Sequence, residues 1–134
     1  MRFLYTLFLY LALPFIVLRL MWKGRKNPAY RTRLAERFAW HQNNATPVDV
    51  WLHAVSFGEV VAAKTLIERW LQANKRVLVT TMTPTGSAQV ARLFGTRVQH
   101  QYVPYDFPFA VRRFFKVYAP RVGIIMETEL WPNL

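Results

Sequence analysis

From residue 48 onward the chain alternates between two periodicities, and this alternation limits the fold more than any other feature. Residues 48–55 (VDVWLHAV), 76–81 (RVLVTT), 97–103 (RVQHQYV) and 121–126 (RVGIIM) are short runs rich in β-branched and aromatic residues, the composition of strands. Between them lie helical patterns. Residues 58–73 place Val61, Leu66, Trp70 and Leu71 at helical spacing. Residues 84–94 open on Pro84 and are ended by Gly95, and residues 107–118 end just before Pro120. Strand–helix–strand order of this kind means βαβ units and a parallel sheet. The strands are nearly continuous apolar runs, as a sheet covered on both faces requires. The expected fold class is therefore α/β, a Rossmann-like parallel sheet over residues 48–134. No helix follows the fourth strand, so the chain reads as the front part of a longer protein, marginal on its own because apolar surface would be left open.

The first third is of a different kind. Residues 3–18 contain no charge and only Thr6 as a polar side chain, and Arg19 is followed by Leu20, Met21 and Trp22. The run is apolar all round, unlike an amphipathic surface helix. Sixteen helical residues reach about 24 Å, short of the roughly 30 Å hydrocarbon core, and Arg19 would have to snorkel for the run to span. Pro14 would kink it. A signal peptide is disfavoured by the weak basic start at Arg2 and the lack of a small-residue cleavage site. A buried core helix is the other alternative. A membrane anchor over residues 1–22 is the preferred reading, whether spanning or interfacial, with Tyr5, Tyr10 and Trp22 suited to the interface. Residues 23–47 then form a basic helix (28–38, starting at Pro28) and a polar linker (41–47).

Charge follows the same division. The net charge is +11; residues 1–47 hold eight basic residues against one acid (Glu36), whereas residues 48–134 hold ten against six. The basic flank lies C-terminal to the apolar run, which by the positive-inside rule puts the rest of the chain in the cytoplasm, beside anionic headgroups. Nucleic acid is the competing polyanion. Its only support is aromatic–basic runs such as 112–116 (RRFFK), where helical spacing makes Phe114 and Phe115 core residues instead. Cysteine is absent, which excludes disulfides, thiolate metal sites and a Cys nucleophile. His41, His53 and His100 share no ligand spacing, His53 reads as a core histidine, and no metal site is expected.

Ligands of open α/β sheets bind beyond the carboxyl ends of the strands. Four segments fall there: 56–59 (SFGE), 82–87 (MTPTGS), 104–108 (PYDFP) and 127–133 (ETELWPN), with four of the six acids of residues 48–134 among them (Glu59, Asp106, Glu127 and Glu129). Each has a plain reading. Ser56 and Glu59 fit a capping box, Thr83 fits an N-cap with Pro84 in the first turn, Asp106 fits another N-cap, and Glu127 and Glu129 fit solvated or Arg-paired carboxylates. Each also has a chemical one. Glu59 at a helix N-terminus facing a cleft is placed for general-base work. The hydroxyls and amides of 83–87 suit a phosphate or sugar. Glu127 directly follows its strand and, with Glu129 two residues on, faces the same side of an extended segment.

Taken together, 53–59 (HAVSFGE), 80–87 (TTMTPTGS), 103–108 (VPYDFP) and 126–133 (METELWPN) resemble, in order and spacing, the 3-deoxy-D-manno-octulosonic acid (Kdo) transferases of lipopolysaccharide synthesis. The apolar N-terminus followed by Gly24, Arg25 and Lys26 looks like that family's anchor. The resemblance implies a GT-B fold of two Rossmann-like domains. This chain would be the acceptor-binding half, and the C-terminal donor domain would lie outside it. It further implies metal-free, inverting transfer of Kdo from CMP-Kdo to a lipid A precursor (lipid IVA) at the cytoplasmic face of the inner membrane. Glu59 would be the proton acceptor and Glu127 the transition-state stabiliser, with Glu129 the second choice. Ser56, Gly58, Thr83, Thr85, Gly86 and Ser87 would line the substrate site. No cofactor is expected. Phe57 departs from the smaller aliphatic residue of many members. The alternative is a membrane-tethered, precursor-binding module without catalysis of its own.

Overall fold

The computed structural model describes residues 2–40, 45–127 and 131–134. A long helix, α1 (Arg2–Lys26), precedes a unit in which β1 (Val50–His53), α2 (Phe57–Gln72), β2 (Val77–Thr81), α3 (Pro84–Phe94), β3 (Gln99–Tyr102), α4 (Pro108–Tyr118) and β4 (Val122–Ile125) alternate. All strand pairs are parallel, in the order β3-β2-β1-β4. The α/β reading holds, and the order is that of a Rossmann-like sheet. The chain moves outward from β1 through β2 to β3, then returns to the other side of β1. The switch point therefore lies between β1 and β4, with His53 opposite Ile125 in the register.

Alternation along the strands feeds two separate cores. Leu52, Val77 and Val79 face α2 and α3, where they meet Val60, Ala63, Ile67, Val90 and Phe94. Trp51 and Leu78 point the opposite way, to α4, where they join Phe107, Ala110, Phe114 and Tyr118. All residues of β1 and β2 are buried, which explains why these segments show no polar alternation. Phe114 is fully buried and Phe115 stands edge-on to Trp51 at 5.7 Å, so the 112–116 run is partly core. Gly123 makes this layer possible: a Cβ there would lie 3.0 Å from the Trp51 ring.

The second layer also holds α1. Leu9 and Leu13 pack into the cluster under α4, and Tyr10 lies 5.2 Å from Phe107. The helix continues through Pro14 to Lys26.

The basic stretch 28–38 differs from expectation. It forms two 3-10 turns, Pro28–Tyr30 and Leu34–Phe38, separated by Arg33 in the left-handed region (φ 59°). Tertiary bonds override the helix. Glu36 is buried and accepts from the Tyr102 amide at 2.9 Å, and Arg33 pairs with Glu36 at 2.7 Å while also donating to Ser87 at 2.8 Å. The linker expected over 41–47 lies partly outside the described residues. Its end is fixed, because the Thr46 amide donates to Gln99 Oε1 and Gln99 Nε2 donates back to the Thr46 carbonyl, each at 3.0 Å.

Candidate active site

The loop after β1 forms one wall of the switch-point crevice. Ser56 is the N-cap residue of α2, in extended conformation, and Glu59 sits in the first turn. The capping box is replaced by a contact one residue further back. Glu59 folds back so that Oε2 accepts from the Val55 amide at 2.8 Å and Oε1 accepts from the Ser56 hydroxyl at 2.9 Å. The Ser56 hydroxyl caps no helix amide. The first-turn amides of Phe57, Gly58 and Glu59 have no intrahelical acceptor by geometry, and the space above Gly58 is open. Glu59 is half-buried and Phe57 is 49% exposed. The result is a carboxylate at the positive end of a helix, held by two donors that a ligand hydroxyl can replace.

The loop after β2 supports the first. The Met82 and Thr83 amides donate to the Val55 carbonyl at 3.1 and 3.3 Å, as does the Thr83 hydroxyl at 3.2 Å. Thr83 is an N-cap as expected, its Oγ1 accepting from the Gly86 amide at 3.1 Å. Gly86 is a spacer: a Cβ would meet Thr83 Oγ1 at 3.0 Å and the Ser56 and Val55 backbone at 3.2 and 3.3 Å. Thr85 is exposed beside Thr83. Ser87 is turned away from this edge. It is buried, and its hydroxyl donates to His100 Nε2 at 2.8 Å while accepting from Arg33. His100 Nδ1 in turn lies 2.8 Å from the Val79 carbonyl, so the neutral Nδ1–H tautomer completes the chain. Burial pushes the His100 imidazole down to about 4, and the Arg33 charge acts in the same sense.

The opposite wall follows β4. The Met126 amide donates to the His53 carbonyl at 2.9 Å, and Glu127 is exposed with φ 62°. This left-handed turn redirects the chain at the carboxylate itself. Glu129 lies outside the described residues. His53 is fully buried, its Nδ1 2.9 Å from Thr80 Oγ1, with the rings of Trp51 and Trp131 at 6.5 and 6.3 Å.

Asp106 corrects a sequence expectation, because Phe107 occupies the N-cap position of α4. Asp106 is buried and holds Asn133: Oδ2 accepts from the Asn133 amide at 2.9 Å, and the Asp106 carbonyl accepts from Asn133 Nδ2 at 2.6 Å. Arg2 Nε donates to Asn133 Oδ1 at 2.9 Å, and Asn133 Nδ2 lies 3.3 Å from Thr6 Oγ1. This clamp fixes the far end of the segment carrying Glu127. No local pattern marks it, since its partners are 27 and 131 residues apart.

Glu59 and Glu127 thus belong to the two loops that flank the switch point, while among the described residues no group of three His, Cys, Asp or Glu side chains could hold a metal ion. By fold this is a Rossmann-like domain with a carboxylate on each of the two loops that flank its switch point. Residues 32–134 match the family described as 3-Deoxy-D-manno-octulosonic-acid transferase (kdotransferase). The 3-deoxy-D-manno-octulosonic acid transferase of Haemophilus influenzae is 42% identical across 99% of this chain, and that of Bordetella pertussis is 49% identical across 63%. A probable mitochondrial 3-deoxy-D-manno-octulosonic acid transferase of Arabidopsis thaliana is 35% identical across 98%. The chain belongs to the Kdo transferase family. It spans about a third or less of these relatives: 32%, 21% and 30% of their lengths.

Proposed function

We propose that this chain is an N-terminal, acceptor-side part of an inverting Kdo transferase acting in lipopolysaccharide biosynthesis, which moves Kdo from CMP-Kdo to a lipid A precursor (lipid IVA). The observation that carries the reading is Glu59, a half-buried carboxylate at the switch point, hydrogen-bonded among the described residues to groups of its own loop, in a chain of this family. Transfer requires the acceptor hydroxyl to lose its proton as its oxygen attacks the anomeric carbon. A carboxylate in hydrogen-bond reach takes that proton. An acceptor hydroxyl displaces Ser56 from Oε1, while the Val55 amide keeps Oε2 and so holds the side chain in aim.

The sugar passes through an oxocarbenium-like state, which a second carboxylate stabilises. Glu127 takes that role, with Glu129 the second choice. Gly58 and Ser56 bind substrate at the open end of α2, and Thr83 and Thr85 offer hydroxyls from the neighbouring loop. Gly86 and Ser87 shape that loop from beneath. Activation of the leaving CMP phosphate falls to the donor domain of a GT-B pair, and no metal enters. The helix α1 and its basic flank hold the protein at the cytoplasmic face of the inner membrane, where its lipid acceptor lies.

The test is Kdo transfer to lipid IVA by the full-length protein and its Glu59→Gln variant, with acceptor binding measured alongside. Lost transfer with binding retained is the expected result. Unchanged transfer would return Glu59 to a purely capping role, and binding without transfer in the unaltered protein would favour a precursor-binding module.

A further inference from the structure

The helix α1 is held to the domain through its N-terminal half and to its own following turn at its C-terminal end. In its first turns Arg2 and Thr6 bind Asn133. In the middle Leu9 and Leu13 enter the α4-side core and Tyr10 meets Phe107. In the last turn Gly24 is buried under the Arg31 side chain, where a Cβ would collide with Arg31 Cγ. Thr6 and Gly24 are about 27 Å apart along a helix rising 1.5 Å per residue. Crossing a bilayer would carry the first turn about 30 Å away from the side that holds the domain. Arg2 and Thr6 could not then reach Asn133.

The opposite face is bare. Phe3, Leu4, Phe8, Leu11, Phe15 and Leu18 are 65–77% exposed. Under the helix Phe107 is fully buried, and the ring stacked on it at 5.9 Å, Phe109, is 48% exposed. At the C-terminal end the surface turns basic. Leu18, Met21, Trp22, Arg25 and Arg31 line a cleft of about 490 Å³, and no acidic residue occurs before Glu36. The bare apolar side of the helix suits lipid, and its cationic end suits anionic headgroups.

Building on the membrane location proposed above, we infer that α1 lies in the plane of the membrane surface, without crossing it, and that the Arg25–Arg31 cleft seats the phosphate of an anionic phospholipid. Gly24 is the device that lets Arg31 fold against the helix beside Arg25.

Two arms test this in the full-length protein, neither of which reads transfer activity. In the first, a single cysteine is placed either in a short Gly-Ser extension before Met1 or at Lys26→Cys, with all others removed. Both are probed with a membrane-impermeant maleimide in inverted and right-side-out vesicles. An in-plane helix gives labelling of both cysteines from the cytoplasmic side only, and labelling of the two from opposite sides overturns it. In the second, Arg25→Gln/Arg31→Gln is sedimented with phosphatidylcholine vesicles containing or lacking phosphatidylglycerol. The double variant should bind the anionic vesicles about tenfold more weakly and the neutral ones unchanged. Equal binding by both proteins to anionic vesicles would overturn the phosphate seat. No association of the unaltered protein with either vesicle would overturn the membrane location itself, leaving the Glu59 chemistry untouched.

Discussion

Asp106 and Asn133 hold each other through two hydrogen bonds, one from the Asn133 amide to the Asp106 carboxylate at 2.9 Å and one from Asn133 Nδ2 to the Asp106 carbonyl at 2.6 Å. Both residues are buried. Removing either therefore leaves a buried polar group unsatisfied, which costs about 1–3 kcal/mol. Asn133→Ala keeps the backbone bond to Asp106 Oδ2 but removes the bond to the Asp106 carbonyl, and should lower the unfolding free energy by about that amount. It should also lower kcat more than it raises KM for the acceptor, because it releases the far end of the segment bearing Glu127. A stability loss with unchanged kcat would show that the clamp serves packing alone.

Glu59 offers a cleaner separation of cap from chemistry. A glutamine keeps an oxygen for the Val55 amide, so Glu59→Gln should change stability by less than about 1 kcal/mol. The same change removes the proton acceptor and should slow transfer by about 10²–10⁴-fold. Chemical denaturation beside a radiolabelled Kdo transfer assay reads both. Ser56→Ala is the matching control: it frees Oε1 and should leave kcat within a few-fold of the parent.

Gly86 tests whether the two loops act as one wall. The Cβ of Gly86→Ala would press on Thr83 Oγ1 and on the backbone of Val55 and Ser56. Overpacking of this kind costs about 1–3 kcal/mol. Acceptor KM should rise with it, since α3 and the 55–56 loop must move apart. A stable variant with normal KM would mean that the loops move independently.

His100 predicts an acid-sensitive fold. Burial holds its folded-state value down to about 4 against an ordinary 6.5, so between these values the unfolded chain binds the proton and the folded one does not. Stability therefore falls as pH drops from about 6.5 to about 4 and levels off below that. The span is at most about 3 kcal/mol, reduced because the ring is partly accessible. The slope of the denaturant midpoint against pH should flatten in His100→Asn. An unchanged slope would assign the acid sensitivity to the carboxylates instead.

What the sequence discloses here is what local physics controls. Pro84 and Gly95 bound α3 to the residue, because a fixed φ starts a helix and a positive φ, open to glycine, ends one. The strands are legible because β1 and β2 are buried on both faces and cannot alternate. The Ser56–Glu59 pairing is legible because the two residues lie three apart at the start of α2. The failures are all long-range. Arg33 and Glu36 abandon a helix for bonds to Ser87 and Tyr102, and Ser87 is thereby turned from the site edge into a buried chain with His100. Asp106 carries an N-cap signature yet spends its oxygen on Asn133. No periodicity within a dozen residues contains that information.

The side chain of Asn133 is shared. Asp106 holds it from the domain, while Arg2 and Thr6 hold it from α1. The seat of the helix and the set of the loop after β4 are thus two readings of one equilibrium, and linkage makes their influence mutual. Whatever free energy a lipid surface contributes to keeping α1 in place is felt at the crevice. By the same amount, a ligand that orders the loop after β4 would tighten the grip of the helix.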